Sequence, residues 1–146
     1  KKLSRMNPKA NIKITDSLLD EKNAHTLLFG SDVIIDATDN IKSRQLIDRI
    51  SKELNTPMIY GGLYRFEGQV SVFNVDGSPG YAELFPDSSY GGDSCADAGV
   101  LGVLPAIIGN IQALETLKLI IGIEPILIGK ILIYDGMDHT TKTIHL

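Results

Sequence analysis

The sequence predicts an α/β protein of the doubly wound, Rossmann-like class, with antiparallel extension strands after the parallel part. Three observations carry this. Residues 33–37 (VIIDA) are a nearly continuous apolar run of strand length, the mark of a strand covered on both faces. Asn40–Leu54 follows as an amphipathic helix whose apolar stripe is Ile41, Leu46, Ile47, Ile50 and Leu54. A second apolar strand, residues 57–60 (PMIY), ends at Gly61-Gly62, and residues 69–74 (QVSVFN) alternate with period two, as an antiparallel or one-sided strand does.

The remaining elements fit around these. Leu3 and Met6 give the opening residues a helical pattern that Asn7-Pro8 stops. No initiator methionine precedes it, so the chain is expected to begin in mid-helix and to be cut from a longer protein. Residues 11–15 (NIKIT) alternate like a short strand. Asp20–Phe29 reads as a helix with Asp20 as N-cap and Gly30 just past its end. Residues 75–98 form a polar loop of a length that is usually functional. Val100–Gly122 reads as a buried helix, and strands 130–134 (KILIY) and 141–146 (TKTIHL) flank a turn at Gly136-Met137-Asp138. The order is β-α-β-α-β-β-loop-α-β-β, a single domain over residues 1–146.

Composition narrows the function classes. With 43% hydrophobic and 22% charged residues the chain is an ordinary soluble globular protein. A net charge of −4 offers nothing to a polyanion, so no nucleic-acid partner is expected. The single cysteine, Cys95, cannot form an internal disulfide, and residues 1–6 lack the apolar core of a signal peptide. Both fit a reducing, cytoplasmic setting. Val100–Gly122 has the length of a membrane span, but Pro105, Asn110, Gln112, Glu115 and Lys118 interrupt it. A core helix is expected, with no membrane.

The candidate chemistry lies at Thr38-Asp39-Asn40, beyond the carboxyl end of strand 33–37, where open α/β sheets bind ligands. A carboxylate there suits Mg²⁺ on a triphosphate, because that ion takes oxygen ligands and keeps several waters. Alternatively, Asp39 or Asn40 merely caps the helix, and the residues alone do not separate the two. Arg44, about one and a half turns into the helix, suits phosphate or carboxylate or is simply solvated. No Gly-x-Gly-x-x-Gly follows any strand. The usual phosphate cradle is therefore missing, and a nicotinamide-dependent oxidoreductase has only the fold in its favour.

The stretch Asp36-Ala37-Thr38-Asp39-Asn40-x-x-x-Arg44 resembles the D-x-T-D-N-x-x-x-R motif of bacterial members of the ubiquitin-activating superfamily. These are the adenylyltransferases of the ThiF/MoeB/HesA group, which activate sulfur-carrier proteins for thiamine and molybdopterin biosynthesis. Further segments match in the same order. They are Arg5-Met6-Asn7-Pro8, Arg65 through Val70 (RFEGQV), Cys95 through Gly102 (CADAGVLG), Gly109 through Glu115 (GNIQALE) and Tyr134-Asp135-Gly136. The resemblance runs essentially from end to end, and it implies that the chain is the C-terminal half of a doubly wound, Rossmann-like sheet with antiparallel extension strands.

It implies ATP-dependent adenylation of the C-terminal glycine of a ubiquitin-like carrier with a diglycine tail, releasing pyrophosphate. Asp39 would be the magnesium and ATP carboxylate, with Thr38 and Asn40 beside it and Arg44 near the phosphates or the incoming carboxylate. Arg65, Glu67 and Gly68 would lie along the carrier tail, where Gly61, Gly62 and Gly68 permit close backbone approach. Turn geometry explains Gly61 and Gly62 equally well. Cys95 matches the catalytic cysteine of the eukaryotic enzymes, a position whose role varies among bacterial relatives from persulfide or acyl-disulfide partner to none. A helix N-terminus nearby would lower its thiol pKa, and a plain loop cysteine is the other reading. A homodimer is implied too, consistent with apolar residues Val100, Leu101, Val103, Leu104, Ile107, Ile108 and Ile111 on more than one helix face.

The sequence departs from the family pattern in two places. Gly80 and Glu83 stand where many relatives carry the first Cys-x-x-Cys pair of a structural zinc, so no zinc is expected. The N-terminal phosphate-binding part, with its glycine-rich loop and phosphate lysine, has no counterpart here, so this stretch alone should not adenylate. The missing zinc cysteines and the CADAGVLG segment lean toward the thiamine type. The competing reading is a non-catalytic binding or dimerisation module of the same fold.

Overall fold

The computed structural model describes residues 2–86, 99, 101–124 and 126–146. Five strands form one mixed sheet in the order β1-β2-β3-β4-β5, comprising β1 (Ile34–Asp36), β2 (Met58–Tyr64), β3 (Glu67–Phe73), β4 (Lys130–Asp135) and β5 (Thr140–His145). Only β1 and β2 run parallel, linked through helix α3 (Ile41–Glu53); the later pairs are antiparallel hairpins and ladders. The other helices are α1 (Lys2–Met6), α2 (Ala24–Leu28), α4 (Tyr81–Leu84) and α5 (Leu104–Ile121).

The parallel unit followed by antiparallel strands is the architecture the hydrophobic patterning predicts. Helices cover both faces of the sheet. Against one face, Ile47 and Tyr81 of α3 and α4 pack on Ile34, Met58, Tyr60, Phe73 and Ile131. Against the other, Leu104 and Ile108 of α5 pack on Ile59, Val70 and Val72. Fully burying side chains such as Met58, Ile59 and Phe73 contributes about 1.5–3 kcal/mol each.

Several sequence expectations need correction. Residues 11–15 are not a strand, and Ile14 is 84% exposed; alternation forms a strand only where a neighbour accepts its backbone hydrogen bonds. The expected helix Asp20–Phe29 shrinks to Ala24–Leu28. Its first turn is replaced by a turn in which Asp20 Oδ1 accepts from the backbone N–H groups of Lys22 and Asn23. The run 33–37 is not covered on both faces, since β1 is an edge strand and Ile35 is 48% exposed. Strand β2 does not stop at Gly61-Gly62 but continues through them to Tyr64.

Helix α5 reverses the expected burial. By length and composition it could cross a membrane, yet its buried set includes Gln112, Glu115 and Thr116 while Leu114, Leu117, Ile120 and Ile121 are exposed. Two of these buried polar groups are fully bonded. Glu115 accepts from the Leu127 backbone N–H at 2.8 Å and pairs with Lys118, and Thr116 Oγ1 donates to the Gln112 carbonyl at 2.8 Å. Such satisfaction is what makes a polar stripe tolerable against a sheet.

Candidate functional site

The carboxyl end of β1 is tied to the middle of β2 through a buried ion pair. Asp36, the last residue of β1, has no exposed surface. Its Oδ1 accepts from the Thr38 backbone N–H at 2.9 Å and the Thr38 hydroxyl at 2.6 Å, and its Oδ2 lies 3.4 Å from Arg44 Nε. Burial pushes the Asp36 carboxyl above its ordinary range, although the Thr38 donors and the Arg44 charge pull the other way. Arg44 Nη2 donates to the carbonyls of Thr38 at 2.8 Å and Gly61 at 3.2 Å, and its guanidinium stands 5.2 Å from the centre of the Tyr60 ring. The side chain of Arg44 is only 12% exposed. One arginine thus ties the turn after β1, helix α3 and the middle of β2 together.

The turn itself divides two jobs between neighbours. Asn40 is the N-cap of α3, its Oδ1 accepting from the Ser43 backbone N–H at 2.9 Å. Asp39 is therefore not needed as cap. It is exposed, and among the described residues its Oδ1 meets only the Asn40 side-chain amide, at 3.3 Å.

Asp39 faces a cleft of about 210 Å³ lined by Thr38, Gly61, Leu63, Ile108 and Gln112 among others, between the strand ends and α5. That is below the roughly 300–1,000 Å³ of a pocket enclosing a whole small ligand, so it suits one end of a ligand.

Gln112 had no assigned role in the sequence reading. Its Nε2 donates to the Asp36 carbonyl at 2.7 Å and the Ile59 carbonyl at 3.2 Å, closing the ends of the parallel pair. A signal existed, because Gln112, Glu115 and Thr116 form a polar stripe at helical spacing in an otherwise apolar helix. Gly61 is explained by this residue rather than by a turn: a Cβ there would overlap the Gln112 amide. Gly61→Ala is accordingly expected to cost about 1–3 kcal/mol and to lower the melting temperature. Unchanged melting would mean that Gln112 moves aside freely.

The carrier-tail candidates lie at the β2–β3 hairpin, at the same end of the sheet. Arg65 sits at its tip with φ +52°, its guanidinium 5.2 Å from the Tyr64 ring centre, and Glu67 accepts from the Gln69 side-chain amide at 3.0 Å. Glu67 and Arg44 share a small hollow with Tyr60 and Gln69. Gly68 is buried, and Ile108 of α5 fills the space a side chain would take. Cys95 lies outside the described residues. At the positions that carry cysteines in zinc-bearing relatives, Gly80 leaves room for Asp48, whose Oδ1 would lie 2.7 Å from a Cβ there. Glu83 pairs with Lys52 at 2.5 Å.

Comparison with known proteins places the chain. The model of the ThiF family matches residues 1–146. The chain is 39% identical over 141 residues to the SAMP-activating enzyme E1 of Haloferax volcanii, covering 95% of this chain and 52% of that protein. It is 37% identical over 151 residues to the sulfur carrier protein adenylyltransferase of Thermus thermophilus, covering 99% and 56%. A probable molybdopterin-synthase adenylyltransferase of Porphyra purpurea is 43% identical over 140 residues, covering 94% and 37%. The chain thus spans about half the length of these relatives, or less. Among solved structures, Escherichia coli MccB superposes with a TM-score of 0.78 at 9% identity, covering 99% of this chain and 44% of that one, a likeness of fold alone. From the sheet order, the strand-end cleft and a family match over its whole length, the chain belongs to the ThiF family.

Proposed function

We propose that the protein adenylates the C-terminal glycine of a ubiquitin-like sulfur-carrier protein with ATP and Mg²⁺, and that this chain supplies the strand-end half of the site. The observation that carries the reading is Asp39, an exposed carboxylate released from capping by Asn40 and set on the cleft beyond β1 and β2. The names of the Thermus and Porphyra relatives point to the same chemistry.

The residues fit the cofactor. Among the described residues no three His, Cys, Asp or Glu side chains gather around a metal-sized point. A lone free carboxylate is what Mg²⁺ needs when phosphate oxygens and water complete its shell. Bound there, the ion would neutralise phosphate charge. Arg44, paired with Asp36, and Thr38 line the same cleft, while Asn40 caps the helix and so holds the turn that carries Asp39. In the reaction a carrier carboxylate oxygen bonds to the α-phosphorus, the α–β bridging bond breaks, and pyrophosphate departs with its electron pair. The nucleophile is already an anion, so positioning and charge neutralisation suffice without a general base.

The test is ATP–pyrophosphate exchange by the full-length protein with diglycine-ended carriers of both the thiamine and the molybdopterin type. Exchange that requires the carrier supports the reading; none with any carrier leaves only a binding module.

The reading includes a homodimer, supported by the exposed apolar side of α5 at Leu114, Leu117, Ile120 and Ile121, since large contiguous apolar patches mark interaction surfaces. Sedimentation is expected to show a dimer that Leu117→Glu dissociates. A wild-type monomer at every concentration would remove the dimer.

A further inference from the structure

Gln112 is 6% exposed, and its two described side-chain hydrogen bonds both leave from Nε2. Their partners, the carbonyls of Asp36 and Ile59, can only accept, so the amide orientation is fixed: the NH₂ faces the strand ends and Oε1 is turned from them. Oε1 has no hydrogen-bond partner among the described residues. It is absent from the polar atoms sealed off without a partner, and Gln112 lines the cleft. The acceptor therefore opens on the cleft, next to the bare face of Gly61 and opposite a lining that is mostly apolar (Leu63, Pro105, Ile108) with Thr38, Asp39 and Arg44 as its other polar members. A nearly buried amide oxygen in such surroundings calls for an N–H donor. Its position on the same cleft as Asp39 puts it beside the reacting end of a bound chain.

Resting on the carrier reading above, we infer that the Gln112 amide oxygen accepts the backbone N–H of one of the two tail glycines, making Gln112 a determinant of tail binding. The chemistry matches. An extended glycine tail presents an N–H at each residue and no side chain to collide with Leu63 or Ile108. ATP's only N–H donors are on the adenine amino group, at the far end of the nucleotide from the α-phosphate where the tail reacts. The same side chain thus ties the end of β1 to β2 with its nitrogen and reads the tail with its oxygen.

The test removes the donor from the tail and leaves the protein intact. Semisynthetic carriers are prepared in which the N–H of the last or the penultimate glycine is replaced by an ester oxygen, with a third bearing the ester one residue further upstream. ATP–pyrophosphate exchange is then followed with full-length wild-type protein. One of the two glycine esters is expected to raise the carrier KM about tenfold, the size of one lost neutral hydrogen bond. The upstream ester, the ATP KM and kcat should change less than about threefold. In Gln112→Met, which keeps the length and loses the acceptor, the amide and ester tails should give the same KM. If that variant does not fold, the wild-type comparison still decides. Equal KM values for both glycine esters and the native tail, with normal exchange, would overturn this inference and leave the function standing. No exchange even with the native tail would instead remove the function, and the inference with it.

Discussion

Replacing Asp39 by alanine in the full-length protein is expected to remove the proposed carrier-dependent ATP–pyrophosphate exchange and to leave the fold intact. Both halves of that expectation come from the division of labour at the start of α3. The cap is Asn40, so truncating Asp39 deletes one long contact from a neighbouring amide and no helix hydrogen bond. Surface changes of this kind stay within about 0.5 kcal/mol, about 2 °C in melting temperature for a chain of this size. The chemistry loses the carboxylate that would orient the metal against developing phosphate charge, a loss of about 10²–10³-fold or more. Asp39→Asn keeps the size and removes the charge, so it should fall nearly as far. Exchange within fivefold of wild type in either variant would take the metal role from Asp39. A large drop in melting temperature would show that it is structural after all.

The contrast between Asp39 and Asp36 also shows what the sequence could and could not tell. Helix α3 and strands β2 to β4 are legible because their side chains repeat with the period of their backbone and bury the expected face, whereas β1, β5 and α5 are legible as elements only: β1 leaves Ile35 exposed, β5 is exposed throughout and α5 buries a polar stripe. Residues 11–15 were misread because alternation reports a side-chain pattern, while a strand exists only with a partner. The extent of β2 was misread for the opposite reason. Two successive glycines look like a turn, and only the Gln112 amide lying over Gly61 and the Tyr60 hydroxyl beside Gly62 show that they are strand residues trimmed for close packing. Position beyond a strand end is enough to put Asp39 on the cleft, since topology alone brings that point there. The cap could not be assigned between two adjacent residues that both cap well. Arg44 could not be told from a solvated helix arginine, because its partners Asp36 and the Gly61 carbonyl are brought to it by the β1–α3–β2 crossover.

Asp36→Ala is expected to be the most damaging single substitution for stability. It strips the charge from beside a nearly buried guanidinium and leaves the Thr38 N–H and hydroxyl without their acceptor. Breaking one side of a buried pair costs about 3–5 kcal/mol, so melting should fall by about 10 °C. The turn that presents Asp39 loosens with it, so the ATP KM should rise in whatever protein remains folded. Asp36→Asn keeps an oxygen for Thr38 and should lose less.

The pH dependence separates burial from pairing. With the folded-state pKa raised above 3.8 by burial, the native state holds this proton more tightly than the unfolded chain does. The stability tied to Asp36 is then complete below 3.8 and is lost as pH climbs through the raised value. Asparagine does not titrate. The stability of wild type relative to Asp36→Asn, measured by denaturant unfolding, should therefore decrease across that window and level off above it. A difference that grows with pH would mean that Arg44 and Thr38 hold the carboxylate ionised against the cost of burial. The knot under the cleft would then be an electrostatic clamp, and Arg44→Lys, which cannot reach Asp36, Thr38 and Gly61 together, would become the more damaging change.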